Sequence, residues 1–179
     1  MRSHVAFLRG VNVGGSAVVP MRRLIAIAET LELASVKTLL QSGNLLFSAP
    51  DERIDEIRHR LEAGLEAEFG FRPAVITRSR AEIERVIETM PFGGNDVDGS
   101  RLITVFLSSA PTHAQIDQLE SWRFPDVSYA IIGQEMHILY GNGMGSSKFV
   151  PAYYERKLGS VGTARNWSTL TKILALLRD

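Results

Sequence analysis

The sequence predicts an α+β fold with two tandem ferredoxin-like halves and an additional C-terminal helix. Short apolar runs typical of buried strands alternate with segments whose apolar residues recur every three or four positions, as in helices, and this order nearly repeats. The chain has 179 residues, 45% hydrophobic and 22% charged, enough to bury a core. We expect the first half over 1–78, a connecting helix and loop over 79–100, and the second half with the last helix over 101–179. The halves form two domains or one compact domain.

The first half has the order strand, helix, strand, strand, helix, strand of a ferredoxin-like unit. Apolar residues spaced by three and four from Met21 to Leu31 mark the buried face of its first helix. The predicted elements are a strand at 5–8, a glycine-containing loop at 10–15, a helix opened by Pro20, strands at 36–41 and 45–48 joined by a tight turn, a helix capped by Pro50 and Asp51 that ends near Gly70, and a strand at 74–77.

The second half nearly repeats this order. Ser79 with Glu82, and Thr112 with Gln115, have the spacing of capping boxes and open two helices. The predicted elements are a connecting helix to about Met90, an exposed linker loop at 93–99, a strand at 101–108, a helix with Ile116, Leu119 and Trp122 on its apolar side, a hairpin of 128–132 and 135–140, a helix at 147–158, a short edge strand near 160–163, and a last helix at 166–177.

Three strands, at 5–8, 102–107 and 130–132, are apolar on both faces. A sheet with helices on one side only would leave one of those faces in water. We therefore expect the second face to be covered, either because the two halves pack on each other or because the protein forms a homodimer.

Composition excludes several functions. Lys plus Arg equals Asp plus Glu, 20 against 20, which disfavours a polycationic nucleic-acid binder. The strands also lack the exposed aromatic signature of RNA-recognition domains. The absence of Cys excludes disulfides, thiolate metal sites and cysteine nucleophiles, and the four histidines have no metal-ligand spacing, so no metal site is expected. No export signal or membrane-spanning run is predicted, which indicates a soluble cytoplasmic protein.

The charges are unevenly distributed. Residues 1–28 contain four arginines and no acid, whereas 141–178 contain six basic residues, Arg178 among them, against Glu155 alone. If these segments meet, the protein has one electropositive pole suited to an anionic ligand. The alternative is that the charges are dispersed on solvated faces.

Three loops are candidates for that ligand. The segment GNGMGSSK at 141–148 lies between a strand and a helix, where backbone amides can hold phosphate or carboxylate, although it has neither P-loop nor dinucleotide spacing. The segment at 9–15 has a similar place, and the turn at 41–44 presents amides and a hydroxyl. Each loop also has the residues that plain turns require. Asn166 suits an N-cap of the last helix, whereas Arg165 has no evident structural role.

The candidate ligand-binding residues are Arg9, Asn12, Gly14, Gly15, Gln41, Ser42, Asn44, Gly143, Gly145, Lys148, Arg165, Asn166 and Lys172. In this hypothesis the cations neutralise the anion, glycine amides contact its oxygens, and Gln41 and Asn44 recognise its polar edges. No residue set indicates a catalytic role or identifies a cofactor.

Six segments resemble a bacterial family, the domain of unknown function DUF1697. They are LRGVNVGG (8–15), VPM (19–21), QSGN (41–44), GMGSSKF (143–149), ERKLG (155–159) and TARNW (163–167), in the order of that family and over nearly the whole chain. The resemblance implies a soluble bacterial α+β protein and no particular reaction. The family pattern has basic residues near Val18 and Ser146 that this chain lacks.

The leading functional hypothesis is binding of a small anionic ligand or nucleotide, with or without catalysis. The first alternative is a regulatory module that associates with itself or with a partner through its sheet. The second alternative is RNA binding, which predicts steep dependence of affinity on salt.

Overall fold

The computed structural model describes residues 1–177 and confirms the α+β class. Within those residues it has two four-stranded antiparallel sheets and six α-helices. Arg178 and the end of the predicted second half lie outside the described residues. The chain divides into two compact units, one of Met1–Glu84 with the described residues from Lys172 onward, the other of Arg85–Thr171.

The first unit contains one four-stranded sheet with the strand order β2-β3-β1-β4. Its elements are β1 (Arg2–Leu8), α1 (Met21–Thr30), β2 (Ala34–Leu39), β3 (Asn44–Ala49), a 3-10 helix (Asp51–Arg53), α2 (Ile54–Phe69), β4 (Val75–Ser79) and the first five residues of α3 (Arg80–Glu88), whose last four residues belong to the second unit.

The core of the first unit lies between this sheet and the helices α1 and α2. Ala6 of β1 lies opposite Leu45 of β3, and both are fully buried. Helix α1 contributes Leu24 and Ala28 and helix α2 contributes three apolar residues one turn apart, the last of them Leu65. Each fully buried leucine stabilises the fold by roughly 2 kcal/mol. The predicted apolar faces of both helices are confirmed.

The second unit contains the other sheet, with the order β6-β7-β5-β8. Its elements are β5 (Leu102–Leu107), α4 (His113–Ile116), a 3-10 helix (Ser121–Arg123), β6 (Val127–Ile132), β7 (Glu135–Tyr140), α5 (Pro151–Leu158), β8 (Gly162–Asn166) and the first half of α6 (Trp167–Leu176), whose second half belongs to the first unit.

An aromatic cluster forms the core of the second unit. Phe149 is its centre, with the Phe124 ring centroid at 5.1 Å and the Tyr129 ring centroid at 5.3 Å. The Tyr140 hydroxyl donates a hydrogen bond to the Phe149 carbonyl oxygen at 2.8 Å. This bond satisfies a hydroxyl that is otherwise buried among apolar groups.

The central strands are buried on both faces, as predicted. Residues 3–8 of β1 and all six residues of β5 are buried. The prediction is wrong for 130–132, because β6 lies at the edge of its sheet and Ile132 keeps 40% of its surface exposed.

Two predicted elements of the second half begin later than expected. Helix α5 begins at Pro151 rather than 147, because 144–146 is a 3-10 turn and proline suits the first helical turn. Strand β8 extends to Asn166, where the prediction ended at 163, and pairs with β5. Arg165 is therefore a strand residue.

Three local predictions are wrong. Asp51 does not cap α2, because a 3-10 helix precedes α2, and its carboxylate pairs instead with Arg2 at 2.7 Å. Helix α4 is only four residues long, so Trp122 lies in a 3-10 helix with 77% of its surface exposed. The loop at 93–99 is not simply exposed, because its Gly94 is buried against the Trp167 ring.

Candidate functional site

The loop between β1 and α1 has an unusual backbone. Five of its residues have φ between 48° and 76°, namely Gly10, Asn12, Gly14, Gly15 and Ala17. Ser16 N–H donates to Val13 C=O at 3.1 Å, so Gly14 and Gly15 occupy the centre of a tight turn with the φ signs of type I′. Positive φ disfavours residues with a Cβ and persists only where surrounding contacts hold the backbone in place.

The side chain of Asn12 holds this loop in place. Its Nδ2 donates to the Val19 carbonyl oxygen at 2.9 Å and to the Gln41 carbonyl oxygen at 2.7 Å. Its Oδ1 accepts from Val19 N–H at 2.8 Å. Asn12 therefore has a structural role, and it joins the predicted loop at 9–15 to the predicted turn at 41–44.

The turn at 41–44 packs directly on β1. Gly43 has φ 73°, and its carbonyl accepts from Leu8 N–H at 2.8 Å. Asn44 is fully buried, and its Nδ2 donates to Leu39 C=O at 2.7 Å and to Ser42 Oγ at 3.0 Å. Asn44 and Ser42 therefore stabilise the turn.

Five of the predicted site residues remain exposed where the loop and the turn meet: Arg9, Gly14, Gly15, Gln41 and Ser42. We call them the loop–turn surface. Within residues 1–177, the backbone N–H groups of Gly14 and Gly15 have no hydrogen-bond partner. Of these residues, Arg9, Gly14 and Gly15 belong to the acid-free segment 1–28, and the positive charge of Arg9 favours an anion.

The glycine loop of the second unit has a different setting. Gly143 has φ 83°, Gly145 and Lys148 are exposed, and Ser146 Oγ donates to the Asn142 carbonyl oxygen at 3.2 Å. Because α5 begins only at Pro151, the glycine amides do not belong to its first turn. That this loop contributes to an anion-binding site stays a prediction.

The remaining candidates lie along β8 and α6. Arg165 is only 7% exposed, and its Nη1 donates to Thr163 Oγ1 and to Ala164 C=O, both at 2.8 Å. Burial lowers the pKa of Arg165 to about 10. The structure thus gives Arg165 the structural role that the sequence did not suggest. Asn166 Oδ1 accepts from Thr169 N–H at 2.9 Å, which confirms the predicted N-cap, and Lys172 is exposed on α6.

A cluster around His4 was not predicted. His4 is 3% exposed, and its Nε2 makes no hydrogen bond although Asp51 Oδ1 lies 3.2 Å away. Burial lowers the pKa of His4, and the Asp51 charge opposes that shift. Both residues line a cavity of about 220 Å³ together with Ser79 and Glu82. No sequence motif marks this cluster, because strand pairing brings its members together. The one sequence feature that could have indicated a buried His4 is that it shares the inward side of β1 with Ala6.

Three cavities of the first unit, of about 370, 220 and 460 Å³, are lined by residues outside the predicted site. Across residues 1–177, no three His, Asp or Glu side chains are placed to hold a metal ion. In that same range no helix is long and apolar enough to cross a membrane.

Comparison with known proteins identifies the family. A family model described as a protein of unknown function, DUF1697, matches residues 1–137. The chain belongs to the DUF1697 family. The resemblance noted in the sequence is thereby confirmed.

This DUF1697 protein is also similar to a solved structure, that of the conserved bacterial protein SP0830 from Streptococcus pneumoniae. The two chains share 22% sequence identity over 99% of each chain, with a TM-score of 0.72. At this identity the likeness shows a common fold and no common activity. No curated protein matches the chain.

Proposed function

We propose that this DUF1697 protein binds a small anionic ligand, through its phosphate or carboxylate group, at the loop–turn surface. One observation carries the proposal: the backbone amides of the exposed Gly14 and Gly15, which have no hydrogen-bond partner within residues 1–177, lie in a tight turn of the acid-free segment that also contains the exposed Arg9. Amides and guanidinium groups are the donors that anions accept from most strongly.

The rigidity of the loop supports this function. Backbone amides fixed before binding lose little entropy when the ligand arrives. Asn12 holds the loop through hydrogen bonds of both its amide nitrogen and its amide oxygen. Ala17 keeps a strained φ of 48° in this loop. Positive φ costs a residue with a Cβ about 1–2 kcal/mol, so the contacts around the loop hold its backbone in this conformation.

The setting on the surface limits the strength of binding. Arg9 is exposed, so water screens its charge. We expect weak, salt-dependent affinity for inorganic phosphate, and tighter binding for a ligand whose other groups contact Gln41 or the neighbouring Val13, which is 64% exposed.

We also propose that each unit is ferredoxin-like. In support, both units have the order strand, helix, strand, strand, helix, strand, and the sheet orders β2-β3-β1-β4 and β6-β7-β5-β8 correspond position by position. Units of this kind carry many unrelated activities, so the ligand proposal rests on the loop–turn surface alone.

Titration of the ¹⁵N-labelled protein with inorganic phosphate tests the ligand proposal. We expect the amide resonances of Gly14 and Gly15 to shift in a saturable manner, and Arg9→Ala to weaken the affinity several-fold. Arg60→Ala is the control: it removes the same charge from the exposed side of helix α2 and should leave the affinity unchanged. The companion variant Lys148→Ala tests whether the second glycine loop contributes. Shifts absent from Gly14 and Gly15, or equal effects of Arg9→Ala and Arg60→Ala, would refute the proposal.

A further inference from the structure

We propose that the outer edge of β6 pairs in antiparallel fashion with β6 of a second copy of this chain, so that two sheets join into one. Strand β6 lies at the end of its sheet order and pairs with β7 on its inner side. An edge strand presents backbone N–H and C=O groups that another strand can bind. This inference is independent of the anion site.

The sequence of β6 lacks the features that usually prevent such pairing. Val127–Ile132 contains no charged residue, proline or glycine, and all six residues pair with β7 in unbroken register. Strand β2, the corresponding edge of the first unit, differs in both respects. Its register shifts between Ala34 and Lys37, Ser35 has φ 54°, and Lys37 places a charge on the strand. Bulges and lysines are common protections of edge strands.

A second copy fits this edge because the strand is self-complementary. A twofold axis at Ala130 places Tyr129 opposite Ile131 of the second copy, and this pair occurs twice. Aromatic residues opposite β-branched residues stabilise antiparallel pairs. The same register places the exposed Ser128 opposite Ile132, which is 40% exposed in the single chain.

Electrostatics permit the association of two copies. The chain has a formal net charge of zero at pH 7 and a pI of about 6.9, so two copies do not repel each other at long range. Two six-residue strands bury less than the roughly 1,200–2,000 Å² of stable complexes. We therefore expect a dimer that forms reversibly and depends on concentration.

The absence of cysteine makes a crosslinking test specific. Ala130→Cys introduces the single thiol of the chain. Opposed residues of an antiparallel pair have Cα atoms about 4.5–5.5 Å apart, within reach of a disulfide. We expect Ala130→Cys to form a covalent dimer rapidly under mild oxidation. Ala34→Cys, a matched substitution on the protected β2 edge, should crosslink only at the slow rate of random collision.

Sedimentation equilibrium up to millimolar concentration provides a second test on the unmodified chain. We expect its mean mass to rise from that of one chain towards that of two, and Ser128→Lys to abolish the rise, because the register brings two added charges to the edge. Circular dichroism establishes that the variants are folded. The proposal is overturned if the wild type stays monomeric and Ala130→Cys crosslinks no faster than Ala34→Cys. It is equally overturned if a wild-type dimer persists in Ser128→Lys.

Discussion

Asn12 donates a hydrogen bond from Nδ2 to the carbonyl oxygen of Gln41 at 2.7 Å, across 29 positions of the sequence. The same amide group donates to Val19 C=O and accepts from Val19 N–H. One side chain thus fixes the loop at 9–15 on the turn at 41–44. Asparagine suits this task because its short amide reaches the backbone and because it tolerates φ 56° better than most residues.

Two replacements of Asn12 separate the contribution of its hydrogen bonds to stability from the cost of its positive φ. Asn12→Ala removes three hydrogen bonds and places an alanine at positive φ, so we expect the free energy of unfolding to fall by about 2–4 kcal/mol. Asn12→Gly loses the same bonds but accepts the φ, and we expect about 1 kcal/mol less destabilisation. Urea denaturation measures both values. Equal stability of wild type and Asn12→Gly would show that the three bonds contribute nothing.

Gly43 and Gly70 allow steric crowding to be separated from backbone strain. Both have φ near +74°, but a Cβ at Gly43 would lie 2.6 Å from Val11 Cγ2 and 2.8 Å from Leu8 Cβ, whereas a Cβ at Gly70 meets nothing within 4 Å. We expect Gly70→Ala to cost about 1 kcal/mol and Gly43→Ala about 3 kcal/mol or more, because only the latter also forces the core apart. Thermal unfolding measures which variant is less stable. Because φ is the same at both positions, steric crowding alone accounts for a larger loss in Gly43→Ala.

Local rules allowed much of the fold to be predicted from the sequence. The apolar stripes of α1 and α2 follow helical periodicity, so their buried faces were identified. The capping boxes also depend only on spacing. Ser79 N–H donates to Glu82 Oε2 at 2.7 Å, and Thr112 N–H donates to Gln115 Oε1 at 2.8 Å. Both bonds join residues three positions apart, a distance at which sequence alone determines the geometry.

Long-range contacts explain what the sequence could not indicate. Trp122 has helical spacing from Leu119, yet α4 ends at Ile116 and the tryptophan stays exposed. Arg165 is buried because β8 pairs with β5, a pairing with no local signal. At the loop–turn surface, the residue types of a binding loop and of a rigid turn are the same. The sequence therefore could not distinguish Asn12, which holds the loop, from Arg9, which remains exposed.

Arg80 stabilises the end of α6. Its Nη1 donates to the carbonyl oxygen of Leu174 at 3.2 Å and also to that of Leu177, and its Nη2 lies 2.7 Å from Glu84 Oε1. The last carbonyl groups of a helix have no partner within the helix, and a cation beside them is favourable. We expect Arg80→Ala to lower stability by about 1–2 kcal/mol and to speed hydrogen exchange at 172–177.

The variant Glu84→Gln is the control for Arg80, because it breaks the ion pair and leaves the carbonyl contacts intact. Exposed ion pairs one helical turn apart contribute only about 0.3–0.5 kcal/mol. We therefore expect Glu84→Gln to leave hydrogen exchange at 172–177 close to that of the wild type. Equal acceleration in both variants would assign the effect to the ion pair.

Buried histidine makes stability depend on pH. His137 is fully buried with Nδ1 3.1 Å from Thr104 Oγ1, and desolvation lowers its pKa from 6.5 to about 4. Between these values the unfolded chain binds the extra proton, so stability falls as pH falls from 6.5 to 4, by about 3 kcal/mol. The lowered pKa of His4 acts in the same direction. We expect urea denaturation at about pH 7 and about pH 4.5 to show most of this loss in wild type and in the exposed-site control His113→Gln, and a much smaller loss in His137→Gln. An unchanged pH dependence in His137→Gln would mean that His137 is protonated in the folded protein without cost.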